Sequence, residues 1–262
     1  VSCTDECLVL PPVHLAVLVA VIIQSTSWLD LVRFQRYGDH RDLHSFPTRR
    51  SSDLPAELRE ALHASAVNLL SSMKYRNAGT VEFLCDVERN AFYFIKVNTR
   101  IQFEHRVSEQ VTGHYLVQTQ FRIAGGEAGA LPQQDQNVVK RHTIECRLNA
   151  EDASNNFMPS PGRIPRWAPS AGAGVRVDSH CEDGYLVPPY YVSMIGKLIV
   201  TAADRPVAVA RLADALDNFA IDGLTSNLPL LRAIVAHEDF RENRFHTRWL
   251  EQTLLPEFQG TE

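Results

Sequence analysis

The sequence predicts an α+β chain in which a partial domain precedes a complete smaller one. Two observations predict it. A helix-spaced apolar stripe is followed by two β-rich runs around a polar turn. Beyond a Gln- and Pro-containing connection, strand-like runs alternate with Pro- and Gly-rich turns and end in two helices.

Pro55-Ala-Glu-Leu58 opens the first helix, with Ser52 or Asp53 as its cap, and Leu58, Leu62, Ala66, Leu69 and Leu70 share a face up to Met73. Gly79 leads into a strand over 80–86, and Glu88-Arg89-Asn90 turns the chain into a second over 91–98. Gly113, Gly125 and Gly126 punctuate helices over 104–111 and 115–123. Residues 130–136, with Pro132, Gln133, Gln134 and Gln136, form a surface connection. Strands are then expected over 138–148, 175–178 and 194–200, and helices over 206–219 and 227–237. The expected domains are 55–137 and 138–257, after a segment 1–54 that is set apart below.

With 45% hydrophobic and 22% charged residues, the 262-residue chain has the composition of a folded protein rather than a disordered or fibrous one. A formal charge of -5 supplies no general drive toward nucleic acid, which is excluded as a partner. Five irregularly spaced cysteines, Cys3, Cys7, Cys85, Cys146 and Cys181, suit reduced thiols and point to the cytoplasm. The apolar run 8–23 is broken by Pro11, Pro12 and His14 and follows Asp5 and Glu6, so neither a signal peptide nor a membrane span is expected.

Pairing the hairpin about Arg89 sets Glu82 opposite Lys96, Leu84 opposite Phe94 and Asp86 opposite Phe92. Val81, Phe83 and Cys85 then share a core face with Tyr93, Ile95 and Val97. On the polar side Glu82, Lys96, Asn98, Arg100, Gln102 and Glu104 project together, either as an exposed sheet face or as a site.

The stretches Gly79-Thr-Val-Glu-Phe-Leu-Cys-Asp86, Phe92-Tyr-Phe-Ile-Lys-Val-Asn-Thr-Arg-Ile-Gln-Phe-Glu-His105 and Val107-Ser-Glu-Gln-Val-Thr-Gly113 resemble the closing part of the ATP-grasp fold in biotin carboxylases. Arg141-His-Thr-Ile-Glu-Cys-Arg-Leu-Asn-Ala-Glu-Asp152, Phe157-Met-Pro-Ser-Pro-Gly162 and Val187-Pro-Pro-Tyr-Tyr-Val-Ser-Met-Ile-Gly-Lys197 resemble the C-terminal domain of that family. Together they cover nearly all of 55–255. The Glu-Cys-Arg and Pro-Pro-Tyr-Tyr motifs set the chain apart from another ATP-grasp ligase, carbamoyl-phosphate synthetase.

The resemblance implies a ligase that uses ATP, Mg2+ and bicarbonate to carboxylate biotin on a carrier protein or domain, as the first half-reaction of acyl-CoA or pyruvate carboxylases. It implies a carboxyltransferase component and a homodimer as further partners. By position, Glu104 is the base that deprotonates bicarbonate, Arg100 holds bicarbonate and phosphate, and Arg147 stabilises the biotin enolate. Gln102 and Phe103 fall where bicarbonate is held, and Glu82 and Asn98 at metal-binding positions. Taken alone, Arg147 is a strand arginine in an ion pair, and Glu145 beside it has no assigned role. Cys146 is expected to be buried as a small hydrophobe, Tyr190 and Tyr191 to pack, and His105 and His180 to be surface or hydrogen-bonded residues.

Three departures limit the implied function. Lys96 replaces the second metal-binding glutamate, and an ammonium has no lone pair to offer a cation. Val192 stands where the family has aspartate. The family's N-terminal domain, glycine-rich lid and nucleotide-binding lysines have no counterpart, so this chain is expected to be inactive alone, and the alternative is a noncatalytic dimerisation or interaction module. Residues 44–54, His-Ser-Phe-Pro-Thr-Arg-Arg-Ser-Ser-Asp-Leu, resemble the translation of a common sequencing-adapter oligonucleotide. Segment 1–54 is therefore expected to be non-native, without a sustained period of helix or strand.

Overall fold

The computed structural model describes residues 5–9, 17–25, 55–86, 89–127, 141–190, 193–245 and 249–258. The chain divides between Arg141 and His142 into two units.

In the first unit, β1 (Asp5–Val9) and β2 (Val17–Ser25) precede α1 (Ala56–Ser72), β3 (Asn77–Asp86), β4 (Ala91–Asn98), α2 (His105–Thr112) and α3 (Leu116–Ala124). The strands form one sheet in the order β1-β2-β3-β4, with β2 parallel to β3. Strands at 5–9 and 17–25 lie in a segment whose sequence carries no sustained period of helix or strand. A Val/Ile-rich run without alternation is compatible with a parallel strand, and periodicity does not separate it from a helix.

The stripe on α1 is as the spacing predicts: Leu58, Leu62, Ala66 and Leu70 are buried against Val81, Phe83 and Cys85 of β3. Its N-cap is Pro55, which makes no side-chain cap, in place of Ser52 or Asp53, which lie outside the described residues. At the other end of the unit, α2 stops at Gly113, whose φ of +78° gives the left-handed turn that glycine adopts without strain.

The hairpin departs from the expected register. Glu82 does face Lys96, but a bulge at Ile95 then pairs Phe83 with Phe94, Leu84 with Tyr93, Cys85 with Phe92 and Asp86 with Ala91. One extra residue on one strand reverses which side chains share a face beyond it. Phe92 therefore packs on the core, in place of Tyr93 and Ile95, which are exposed, and the Phe83 ring meets Phe92 edge-on at 5.4 Å.

The second unit opens with β5 (His142–Asn149), followed by the short strands β6 (Glu151–Asp152), β7 (Met158–Pro159), β8 (Gly162–Arg163) and β9 (Trp167–Ala168). Then come β10 (Val175–Ser179), β11 (Leu186–Val187), β12 (Met194–Ala202), α4 (Arg205–Asp217), β13 (Ala220–Ile221), α5 (Leu228–Ala236) and α6 (Glu238–Arg241). Its main sheet is antiparallel in the order β10-β12-β5. Ile144, Cys146 and Leu148 on β5 alternate with Thr143, Glu145 and Arg147, and Cys146 is buried as expected.

Helices α4 and α5 bury Ala208, Val209, Leu212 and Leu216, and Leu228, Leu231, Ile234 and Val235. Asp204 caps α4 by accepting from Val207 N at 3.0 Å. Tyr190 is 82% exposed, which corrects the expectation that it packs, while Tyr191 and Val192 lie outside the described residues. A proline pair fixes the backbone there without demanding that the next ring be buried.

Candidate functional site

Strand alternation and the turn into α2 bring four of the six polar residues into contact. The Glu82 side chain is 2% exposed, and its Oε1 accepts from Asn98 Nδ2 at 2.5 Å and from Gln102 Nε2 at 3.4 Å. Lys96 Nζ lies 3.6 Å from the same oxygen. A carboxylate only accepts hydrogen bonds, so both carboxamides must turn their NH2 ends toward it. Gln102 is itself buried, and its Oε1 has no hydrogen-bond partner among the described residues.

Glu104 is buried and stands at the N-cap of α2. The expected neighbours Arg100 and Phe103 are exposed, and Arg100 Nη1 donates to the Ile101 carbonyl at 3.2 Å. His105 donates from Nδ1 to the Gln102 carbonyl oxygen at 2.5 Å, which ties the start of α2 to the connection from β4 and agrees with a hydrogen-bonded histidine. Burial pushes the Cys85 thiol, on the opposite side of β3, up to about 12, so it is held as an inert hydrophobe.

The donors around Glu82 do not fit a magnesium ion. A hard divalent cation takes several oxygen ligands. Here it would meet one carboxylate whose Oε1 is already engaged, two NH2 groups and an ammonium. Among the described residues no group of three or more His, Cys, Asp or Glu side chains is placed to hold a metal.

In the second unit Arg147 is half-buried on β5, directly across from Lys197 on β12. Lys197 Nζ lies 3.4 Å from Glu145 Oε1, and both side chains are buried. On the far side of β12, Asp178 also faces Lys197 and is held by a two-pronged bond from Arg176, at 2.7 and 2.9 Å. Sequence reasoning did not single out Lys197, because only the register shows that it shares a face with Glu145 and Arg147. Nor did it find Asn227, whose side chain accepts from Asn149 N at 2.9 Å and donates to the Arg147 carbonyl at 3.0 Å.

Comparison with known proteins agrees with both units. Residues 145–252 match the biotin carboxylase C-terminal domain, and residues 43–132 match the carbamoyl-phosphate synthase L chain ATP-binding domain. A biotin carboxylase of Bacillus subtilis strain 168 is 44% identical over 201 residues, covering 77% of this chain and 44% of the relative. The biotin carboxylase of Pseudomonas aeruginosa is 44% identical over 196 residues, covering 75% and 43%. The biotin carboxylase domain dimer of Hydrogenobacter thermophilus 2-oxoglutarate carboxylase was solved in complex with MgADP, ADP and bicarbonate. It superposes with a TM-score of 0.75 at 42% identity, covering 80% of this chain and 46% of that one. The chain thus spans less than half the length of these relatives. It carries a biotin carboxylase C-terminal domain, preceded by part of an ATP-binding domain of the carbamoyl-phosphate synthase L chain type, and is similar to biotin carboxylases over about three quarters of its own length.

Proposed function

We propose that this chain is the site-closing portion of a biotin carboxylase, with residues 55–137 ending the ATP-grasp domain and 138–257 forming the C-terminal domain. The parent reaction is ATP- and bicarbonate-dependent carboxylation of biotin on a carrier protein or domain, within an acyl-CoA or pyruvate carboxylase. A carboxyltransferase component and a homodimer belong to that assembly, and the cytoplasm is its compartment. Among the described residues no helix is long and apolar enough to cross a membrane.

The observation that carries this reading is the pairing of two buried polar groups at the start of α2. Gln102 presents a buried, unpartnered Oε1 two residues before the buried Glu104 carboxylate. An acceptor beside a base suits bicarbonate, a small anion that also carries a hydroxyl. In the proposed chemistry Gln102 and the Phe103 backbone contribute to holding the anion, with its one hydroxyl left to face Glu104. Glu104 takes the proton, and a carbonate oxygen is freed to attack the γ-phosphorus of ATP as the bond to the β-phosphate oxygen breaks and ADP leaves. The Arg100 guanidinium, a planar fork, holds the oxyanions. Arg147, in the other unit, stabilises the enolate of biotin. Glu82 and Asn98 are what remains of the metal-binding set.

The isolated chain is proposed to be inactive, since the chemistry needs a nucleotide-binding half that these motifs do not supply. With bicarbonate and biotin present, the purified chain is expected to hydrolyse no ATP above a blank. Biotin-dependent turnover that disappears in Glu104→Gln would overturn the inactivity. Grafting 55–262 onto the upstream half of a closely related biotin carboxylase should yield biotin-dependent turnover that Glu104→Gln abolishes. A graft equally active with and without the Glu104 carboxylate would remove it from the catalytic role.

A further inference from the structure

We infer that the Lys96 ammonium is a built-in cation that neutralises the buried Glu82 carboxylate, making this hairpin refractory to divalent metal ions. The inference rests on the family reading only for the expectation that a metal belongs there, and the geometry carries the rest. Glu82 is almost wholly removed from water, and a buried carboxylate needs compensating charge or hydrogen bonds. It receives both from its own chain. Lys96 supplies the charge across the ladder, and Asn98 and Gln102 supply two N–H donors to the same oxygen.

Each of these partners presents a positive end to Glu82, so a metal ion could take Oε1 only by displacing them. Asn98 and Gln102 would have to reverse their carboxamides to offer oxygen, and each would lose its bond to Glu82. Lys96 could not be converted into a ligand without losing its proton. It could leave, because its side chain is 41% exposed, but Glu82 would then be stripped of its counter-charge unless the metal replaced it. While the ammonium stays, it repels a dication a few ångströms away, and in a partly dry site this repulsion lowers metal affinity by roughly tenfold or more.

The position of the bulge points the same way. Glu82↔Lys96 is the last pair before the register shifts at Ile95, so this pairing is kept where the ladder beyond it is not. The polar face from Lys96 through Asn98 is in regular register with Thr80 to Glu82, and the irregularity is confined to the apolar end of the hairpin. The ammonium is therefore aimed at Glu82 by the regular part of the strand pair.

Mn2+ is the probe, titrated into the full 262-residue chain while free Mn2+ is followed by electron paramagnetic resonance. The unaltered chain is expected to show no saturable binding up to about millimolar Mn2+, and Lys96→Glu to gain one saturable site that is lost again when Glu82→Gln is added. The gain over the unaltered chain should be about tenfold or more. If Lys96→Glu fails to fold, Lys96→Gln removes the charge without adding a carboxylate and should still bind Mn2+ more tightly than the unaltered chain. Saturable Mn2+ binding by the unaltered chain that Glu82→Gln abolishes would overturn the inference. So would a folded Lys96→Glu chain with no new site, or a folded Lys96→Gln chain no better than the unaltered one. None of these outcomes bears on the biotin carboxylase reading, which the Glu104 graft tests separately.

Discussion

Lys197 of β12 and Glu145 of β5 form a buried ion pair, with Nζ and Oε1 3.4 Å apart on neighbouring strands. The pair is diagonal: Lys197 stands opposite Arg147 and Glu145 opposite Ile199. Two cations facing each other across a ladder repel, and the carboxylate one step along β5 offsets that repulsion. Glu145→Gln should therefore destabilise the second unit by about 3–5 kcal/mol, because it takes the carboxylate away from a buried ammonium that faces a guanidinium. Removing both charges with Glu145→Leu and Lys197→Met should recover much of the loss. Urea unfolding followed by the fluorescence of the buried Trp249 reads both, and a Glu145→Gln chain as stable as the unaltered one would exclude the pair as a structural element.

Asn227 closes the free edge of β5. Its side chain stands in for a neighbouring strand by bonding to the Arg147 carbonyl and the Asn149 amide, while its own N–H donates to the Asn149 carbonyl at 3.0 Å. Asn227→Ala should cost about 1–3 kcal/mol, since two backbone groups lose partners in a partly buried place. Asn227→Asp keeps the acceptor for Asn149 N but sets a carboxylate against the Arg147 carbonyl, so it should be no better than the alanine variant. Hydrogen exchange at the Asn149 amide should quicken in both. Unchanged exchange there would mean that β5 holds its edge without the clamp.

Much of this was legible in the sequence, and the residues show why the rest was not. The α1 stripe follows from spacing alone, because Leu58, Leu62, Ala66 and Leu70 recur on one helix face whatever they pack against. Both strands of the hairpin and the Glu82–Lys96 pairing follow from alternation. The bulge at Ile95 does not, since alternation assigns faces only along an unbroken ladder and one inserted residue moves Phe92 inward and Tyr93 outward. The Glu145–Lys197 pair was hidden because its members lie far apart in the chain, and only the antiparallel register brings them together. Strands β1 and β2 were missed because an interruption by prolines and histidine and a continuous apolar run carry no periodic signal.

His63 on α1 gives the first unit a predictable response to acid. Burial, and after it the charge of Arg59, lower its pKa from 6.5 to about 4, against a smaller opposing pull from Glu60. The unfolded chain therefore binds a proton at this residue between about pH 6.5 and pH 4, where the folded chain does not. Stability rises with pH wherever the unfolded state holds more protons, so the contribution of neutral His63 is complete above pH 6.5 and is lost as pH falls toward 4. The urea midpoint of the first unit should fall between about pH 7 and about pH 5, and His63→Gln should flatten that fall. An equal drop in the variant would place the titrating group elsewhere.

Composition and place in the sheet point in different directions for segment 1–54. Residues 44–54 lie outside the described residues, but β2 lies parallel to β3 from Val17↔Asn77 through Ser25↔Cys85. In the order β1-β2-β3-β4, β3 is an interior strand only because β2 covers one of its edges. Deleting 1–54 should expose that edge, together with the N–H and C=O groups that point along it, and an uncovered edge invites pairing with another chain. The first unit should then melt several degrees lower, on the order of 1–3 kcal/mol, and the shortened chain should associate with rising concentration. The second unit, whose sheet contains neither strand, should unfold as before. Differential scanning calorimetry with light scattering on the two lengths of chain separates these effects. An unchanged first transition, with no new association, would show that β3 does not depend on β2 and would mark 1–54 as a passenger on a biotin carboxylase fragment.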